Sequence, residues 1–476
     1  MRRTKIVATL GPASSSIKML ENLILTGVDV FRLNFSHGER EQHRQVINAI
    51  KTAGATVNRH PAILLDLCGP KIRVDDMLDG GQTLTAGQKI KIVMDKIVGT
   101  SEKISCSYSA LARDVKTDSR ILLDDGNLEF RVLSTDGVNE ILCEIVSGGL
   151  LKSKKGINLP GVHVSSPSVT DKDYKDIQVG IEEGVDFIAL SFVRHPNDIL
   201  QVKEHLRKNK LDARVIAKIE KPEALECIDE ILDVSDGIMV ARGDLGVEMD
   251  NTSVPTIQKE LIEKANEADR YVITATQMLE SMIQNSVPTR AEVSDVANAI
   301  FDGTDAVMLS GETSVGAYPL EAVDTMVRIA KNTEKYIIHK KFGWTWGRLN
   351  PVDSMQDAIG HAAFQLCNDL NPAAVVAFTP TGGTAVYLSK SRTLTPIICF
   401  TNNERAVRRM RLYWNIESVY TPDVKSVDDV RHAATSYLRN RPIFNEYKTY
   451  LLVCGSQFGE TGANNTIEVV SLPPVY

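Results

Sequence analysis

Eight short apolar runs punctuate the chain, and each ends in polar or charged residues. They are Lys5–Gly11, Val28–Ser36, Ala62–Ile72, Phe187–Phe192, Val215–Glu220, Gly237–Gly246, Tyr271–Met278 and Ala306–Glu312. Near-continuous apolar runs of this kind suit parallel strands covered on both faces. Helical segments separate them. Eight parallel strands alternating with helices predict an α/β architecture built on a (β/α)8, or TIM, barrel. In such barrels chemistry collects at the carboxyl ends of the strands. Here those ends read Arg32-Leu33-Asn34-Phe35-Ser36-His37, Asp66, Lys218-Ile219-Glu220, Arg242-Gly243-Asp244, Ala275-Thr276-Gln277 and Ser310-Gly311-Glu312.

Between the third and fourth runs the pattern changes. From residue 74 to about 166, helical periodicity gives way to short alternating segments with turn signals at Asp79-Gly80-Gly81, Asp125-Gly126, Asp136-Gly137 and Gly148-Gly149. This predicts a small β-barrel domain, residues 71–167, inserted into a barrel of residues 1–70 and 168–340. Gly69-Pro70 and Pro160-Gly161 with Pro167 mark its junctions as hinges or tight crossovers. Residues 341–353, with Trp344, Trp346 and Pro351, read as a linker. Beyond them, residues 354–476 resume alternation. A helix precedes strands at Ala373–Thr379, Ile397–Thr401, Ser418–Thr421, Tyr450–Gly455 and Thr466–Leu472, which predicts a C-terminal α/β domain ending in a hairpin.

Composition narrows the class. A net charge of −7 over 476 residues argues against nucleic acid or an anionic membrane as partner. No run approaches the ~18 apolar residues of a membrane span. Met1-Arg2-Arg3-Thr4-Lys5 leads straight into the first strand, without the apolar segment of a secretory signal. The seven cysteines are scattered, with no Cys-x-x-Cys pair, as in a reducing compartment. A cytoplasmic protein is expected.

Glu220 and Asp244 end strands five and six, and two carboxylates in a wet cleft suit magnesium, which keeps water and substrate in its remaining positions. Lys218 shares a strand face with Glu220 by the i, i+2 rule, so both are expected inside the barrel mouth. Opposite charges there are costly unless they serve a ligand or each other. Arg32, Asn34 and Ser36 repeat the spacing on strand two. The guanidinium suits a phosphate or carboxylate, and the amide and hydroxyl, with Asp66, could coordinate a cation. His37 follows in the loop without an assigned base role. Gly243, beside Asp244, permits close backbone approach to an anion. Thr276 could offer a hydroxyl to a carboxylate. Walker A, dinucleotide-glycine, Gly-x-Ser-x-Gly and His-Glu-x-x-His motifs are missing. Metal-assisted chemistry on a small anion survives, as phosphoryl transfer or enolate formation.

Together these segments resemble the pyruvate kinase family. The resemblance rests on Thr4–Val7, Arg32–Gly38, Gly69–Arg73, Lys154–Gly161, Lys218–Glu220, Met239–Gly246, Ala275–Met282 with Pro288–Glu292, and Met308–Thr313, in family order along the whole chain. It implies transfer of the phosphoryl group of phosphoenolpyruvate to ADP, giving pyruvate and ATP. It places Lys218 at the transferring phosphoryl group and Arg32 on the phosphate. Glu220 and Asp244 would hold Mg2+, with Mn2+ as a substitute. Gly243, Asp244 and Thr276 would hold the substrate carboxylate, and Arg73, Lys155, Asn34 and His37 would serve the nucleotide. In many family members a glutamate follows the Gly-Pro turn and accompanies a potassium site; here Gly69-Pro70 is followed by Lys71, and Leu67 replaces a polar residue. Asn34, Ser36, Asp66, Leu67 and Lys71 are therefore expected to form a region that does not require K+. The turn Thr379-Pro380-Thr381-Gly382-Gly383-Thr384 is expected to cradle a phosphorylated allosteric effector, closed over by the loop Gly459–Thr466. A homotetramer is implied by the resemblance alone. Two other readings stay open: a catalytically silent metabolite sensor on this scaffold, and a metal-dependent lyase acting on pyruvate enolate.

Overall fold

The computed structural model describes residues 1–340, 354–455 and 464–474; the expected linker 341–353 and most of the loop Gly459–Thr466 lie outside them. Eight strands form the central barrel: β1 (Lys5–Thr9), β2 (Val30–Asn34), β3 (Ala62–Asp66), β4 (Phe187–Leu190), β5 (Arg214–Ile219), β6 (Gly237–Ala241), β7 (Tyr271–Ala275) and β8 (Ala306–Leu309). They close in sequence order, with β1 beside both β2 and β8, and every neighbouring pair is parallel.

Period-two alternation sorts their side chains. Ile6, Phe31, Leu33, Leu65, Ile188, Val215, Ala217, Val240 and Val307 pack outward against the helices. Val7, Val30, Leu64, Phe187, Ile216, Met239 and Ile273 fill the interior. Continuing the inward set toward the carboxyl ends gives Thr9, Arg32, Asp66 and Lys218. The inward positions thus pass from apolar to charged at the mouth.

The opposite end has its own repeat. Each even-numbered strand is preceded by an aspartate whose carboxylate accepts a backbone amide of the odd strand before it. Asp29 takes the Ile6 amide at 2.9 Å, Asp186 that of Ile63 at 3.0 Å, Asp236 that of Val215 at 2.8 Å and Asp305 that of Val272 at 2.8 Å. The C-terminal domain docks here. Arg408 binds Asp186 at 2.9 Å, and Lys390 and Arg392 reach Asp305 at 2.6 and 3.0 Å in a fully buried cluster.

That domain is a sheet of β9 (Val375–Phe378), β10 (Ile397–Thr401), β11 (Ile416–Tyr420), β12 (Thr449–Gly455) and β13 (Asn464–Ser471). The spatial order is β11-β10-β9-β12-β13, parallel except for the closing hairpin β12–β13.

The segment between β3 and β4 forms a seven-stranded sheet running from Ile72–Arg73 at one edge to Lys103–Ser105 at the other. The edges meet: Val74 bridges Cys106, the Ser107 amide donates to the Arg73 carbonyl at 2.9 Å, and the Asp75 amide to the Ser105 carbonyl at 3.0 Å. The sheet therefore rolls shut around a core of its own, including Ile92, Ile121, Phe130, Val132, Ile141 and Cys143. All seven cysteines are free thiols. Among the described residues no helix is long and apolar enough to cross a membrane.

Candidate active site

Asp66 organises the barrel mouth. As the last residue of β3 it lies level with Asn34 on β2 and Ala189 on β4, and it is completely buried. Its carboxylate binds the Arg32 guanidinium at 2.6 Å and the Lys218 ammonium at 3.3 Å. Burial alone would raise its pKa, but the Lys218 and Arg32 cations outweigh that and hold it below the usual aspartate value. Lys218 also bonds Glu220 at 2.8 Å and donates to the Ser191 hydroxyl at 2.7 Å. Burial would lower its pKa, yet Asp66 and Glu220 drive it well above the ordinary lysine value, so its charge is permanent. Arg32 is fixed from its other side by Thr9, 2.9 Å away.

Glu220 and Asp244 stand slightly beyond the strand ends where the sequence placed them. β5 ends at Ile219, and β6 ends at Ala241 because a helix, Arg242–Glu248, starts at once and carries Asp244 in its first turn. Burial raises the Glu220 pKa and Lys218 lowers it, while the charge of Asp244 raises it further. Two mutually repelling carboxylates beside one lysine form a hard-oxygen donor set that a dication would relieve. No cluster of three or more His, Cys, Asp or Glu with metal-ligand geometry occurs among the described residues. The two-carboxylate set fits magnesium, which binds through one or two carboxylates and otherwise through water and substrate oxygens.

The Gly243 amide donates to the Thr276 hydroxyl at 2.8 Å, and a Cβ on Gly243 would lie 3.4 Å from that oxygen. Thr276 lies past the end of β7 and, with Gln277, adopts a left-handed backbone, φ +69° and +54°. Phe192, past β4, does the same at +53°, and its amide donates to Glu220 at 2.8 Å. Such conformations cost about 1–3 kcal/mol each and persist where surroundings impose them. For Thr276 the constraint is Arg242, which donates to the Thr276 carbonyl at 2.7 Å and is itself held by Asp295 at 2.7 Å.

Two expectations need correction. Ser36 does not continue the inward face of β2: the strand ends at Asn34, and in the turn the Ser36 amide donates to the Asn34 side-chain oxygen at 3.1 Å. Leu67 does not border the carboxylates. Alternation after Asp66 turns it into the helix-packed core, fully buried. Lys155, on the inserted domain as expected, pairs with Asp124 at 2.6 Å. Arg73 donates to the Lys154 carbonyl at 3.1 Å. Partial burial lowers the His37 pKa, and the charges of Arg73, Lys71 and Arg32 lower it further. Among the described residues Lys71 pairs with no carboxylate: Asp75 is bonded to Ser105, and Asp76 to Lys154.

Sequence reasoning missed Thr9, Ser191, Phe192 and Arg242. Thr9 ends β1 and Ser191 follows β4, so the strand-end rule that found Asp66 would have found both. Phe192 acts through its backbone amide and Arg242 by holding the Thr276 carbonyl, roles that residue type alone does not advertise.

Around the effector turn, Thr379 accepts the Gly382 amide at 3.0 Å, and Gly382 has φ +93° as the helix Gly383–Lys390 begins. Thr384 is buried, whereas Thr381 and Gly383 are exposed.

Family comparisons agree with this geometry. Residues 1–323 match the pyruvate kinase barrel-domain model, and residues 357–470 match the pyruvate kinase alpha/beta-domain model. Pyruvate kinases of Geobacillus stearothermophilus and Staphylococcus aureus (strain MRSA252) are each 45% identical over 470 residues, which is 98% of this chain and 80% of each relative. With the barrel, its charged mouth and both domain matches in agreement, this chain is a phosphotransferase of the pyruvate kinase family.

Proposed function

We infer that the enzyme transfers the phosphoryl group of phosphoenolpyruvate to ADP, giving pyruvate and ATP. One observation carries this reading: Lys218 and Arg32 converge on Asp66, beside the Glu220 and Asp244 carboxylates. Phosphoryl transfer asks for positioning and fixed positive charge more than for covalent catalysis. Lys218 supplies charge toward the phosphoryl group in flight and the enolate left behind. Arg32, held in plane by Asp66 and Thr9, presents its guanidinium to the phosphate. Thr276 and the Gly243 and Asp244 amides orient the substrate carboxylate. Mg2+ held by Glu220 and Asp244, or Mn2+ in its place, would neutralise charge on the reacting oxygens. Arg73, Lys155, Asn34 and His37 serve the nucleotide. Closure of the inserted domain over the barrel would bring Lys155 in and exclude water.

Lys71, paired with no carboxylate among the described residues and felt electrostatically at His37, takes the role of a monovalent cation, so K+ is not required. The turn at Thr379, Thr381, Gly382, Gly383 and Thr384 receives a phosphorylated effector. The working assembly is a cytoplasmic homotetramer, which sedimentation at micromolar concentration would check.

Coupled detection of ADP-dependent pyruvate formation is the deciding assay. Lys218→Met should lower turnover about 100- to 1000-fold, the usual consequence of removing one preorganised charge from a transition state. Folded Lys218→Met protein with near-normal turnover would overturn the assignment. A silent sensor would show no turnover in the unaltered chain, and a lyase would not need ADP.

A further inference from the structure

Glu248 ends the helix Arg242–Glu248, whose first turn carries Asp244. Its carboxylate is almost sealed from solvent, and one oxygen, Oε1, receives two donors. Lys221 Nζ lies at 2.6 Å and Asn158 Nδ2 at 2.8 Å. The donors come from different bodies. Lys221 directly follows Glu220 and caps the short helix Pro222–Glu226. Asn158 ends the inserted-domain strand Gly156–Asn158, which begins next to Lys155 and pairs with Ile72–Arg73. A single buried oxygen therefore joins the Glu220 loop, the Asp244 helix and the strand between the two nucleotide cations.

The surroundings favour a strong link. Ile72, Ile157, Leu159 and Phe192 line the cavity in which Glu248 and Lys221 meet Asn158. Lys221 also stands 6.0 Å from the centre of the Phe192 ring, and the Phe192 amide holds Glu220. A buried carboxylate needs a partner, and Lys221 alone would neutralise it. The second donor is contributed by the inserted domain. The neighbouring Val247 meets that domain too: a Cβ on Gly126 would lie 4.0 Å from it.

We propose that Glu248, Lys221 and Asn158 form a positioning latch. It sets the Arg73 and Lys155 strands in register with the Glu220 and Asp244 loops, so that ADP is gripped only when the inserted domain is seated on the barrel. The proposal rests on the reading above that ADP binds between these two groups.

Asn158→Ala removes the tether and leaves the Lys221–Glu248 pair. It should raise both KM and Kd for ADP about 10- to 100-fold, as for loss of one hydrogen bond to a charged group. The KM for phosphoenolpyruvate should stay within about 2-fold. Asn158→Asp sets a second carboxylate against Glu248 and should have the larger effect. In the double variant Asn158→Asp with Glu248→Gln, the amide becomes the donor and the carboxylate the acceptor, and ADP affinity should recover. ADP binding is read by calorimetry at fixed magnesium, and both KM values by steady-state kinetics, with the thermal midpoint as a folding control. Asn158→Ser replaces the alanine variant if that variant unfolds early. Three results would overturn the latch: ADP constants unchanged in both single variants, equal rises for the two substrates, or no recovery in the double variant. Absence of ADP-dependent turnover in the unaltered enzyme would instead overturn the underlying reading.

Discussion

Asp66 is buried between two cations, and the sign of its titration follows from them. Its folded pKa lies below the ordinary 3.8, so its contribution to stability is present above that value and is lost as pH falls through the depressed one. Asp66→Asn should lower the thermal midpoint at pH 7, because Lys218 and Arg32 are left to repel in a buried site. The gap to the unaltered enzyme should begin to shrink below about pH 4, where the aspartate of the unfolded chain takes up its proton, and should close as pH falls through the depressed folded value. A gap constant from pH 7 to 3 would show that its charge is not what matters. Lys71 raises a second question of charge at this scale. An ammonium and a K+ ion about 4 Å apart repel by about 4 kcal/mol at an effective dielectric of 20, so one excludes the other. Activity with tetramethylammonium as the sole monovalent cation should equal that with K+, and Lys71→Glu should create a K+ requirement. Rescue of the unaltered enzyme by K+ would refute the first expectation, and a K+-indifferent Lys71→Glu protein the second. Leu67 carries no weight here, since its side chain packs away from the site.

Among the elements, the barrel was legible because its signal is repeated eight times and is large. Phe187–Phe192 and Val215–Glu220 announce β4 and β5 almost to the residue, since buried parallel strands have no polar face to blur the pattern. Runs went too far where the chain turns without a change of polarity. Gly237–Gly246 continues into a helix after Ala241, and Tyr271–Met278 leaves its strand at the left-handed Thr276 and Gln277. Ala62–Ile72 spans a strand end and a hinge. There Gly69, at φ +63°, donates to Asp173 at 3.1 Å, and Ile72 already belongs to the inserted sheet. Within the site, Lys218, Glu220, Arg32 and Asp66 were readable because each is an inward polar residue at a strand end. Glu248, Lys221 and Asn158 were not, because their link crosses 90 residues and two domains. The turn Thr379-Pro380-Thr381-Gly382-Gly383-Thr384 was legible as a strand-to-helix junction: it follows β9, and Gly382 is left-handed at the start of the helix Gly383–Lys390. Gly383 is exposed there, so Gly383→Glu should abolish activation by a phosphorylated metabolite while leaving unactivated turnover near normal. Activation that survives the change would move the effector elsewhere.

Across the whole molecule, the continuity of the cores decides which parts stand or fall together. The barrel interior and the C-terminal sheet share one apolar cluster. Tyr271 on β7 meets Tyr413 of the C-terminal domain with ring centres 5.7 Å apart, and Ile216, Met239 and Phe187 belong to the same group as Val375, Ile397 and Leu451. The aspartates at the base of β4 and β8 add buried ion pairs across this joint. The inserted domain, by contrast, keeps its core to itself and meets the barrel at hinge segments and around Glu248 and Val247. Cooperative units follow shared cores, so the barrel and C-terminal domain should unfold as one and the inserted domain as another. Calorimetry of the full chain should give two transitions. A chain ending at Lys340 should lose the larger transition or aggregate, since cutting there exposes the apolar barrel base and leaves Asp305 and Asp186 without their cations, at roughly 3–5 kcal/mol for each broken buried pair. Deleting the inserted domain with a short Gly-Ser bridge should preserve the larger transition at nearly the same temperature and abolish phosphoryl transfer. A stable barrel ending at Lys340, with an unchanged midpoint, would show that the shared core is contact without cooperativity.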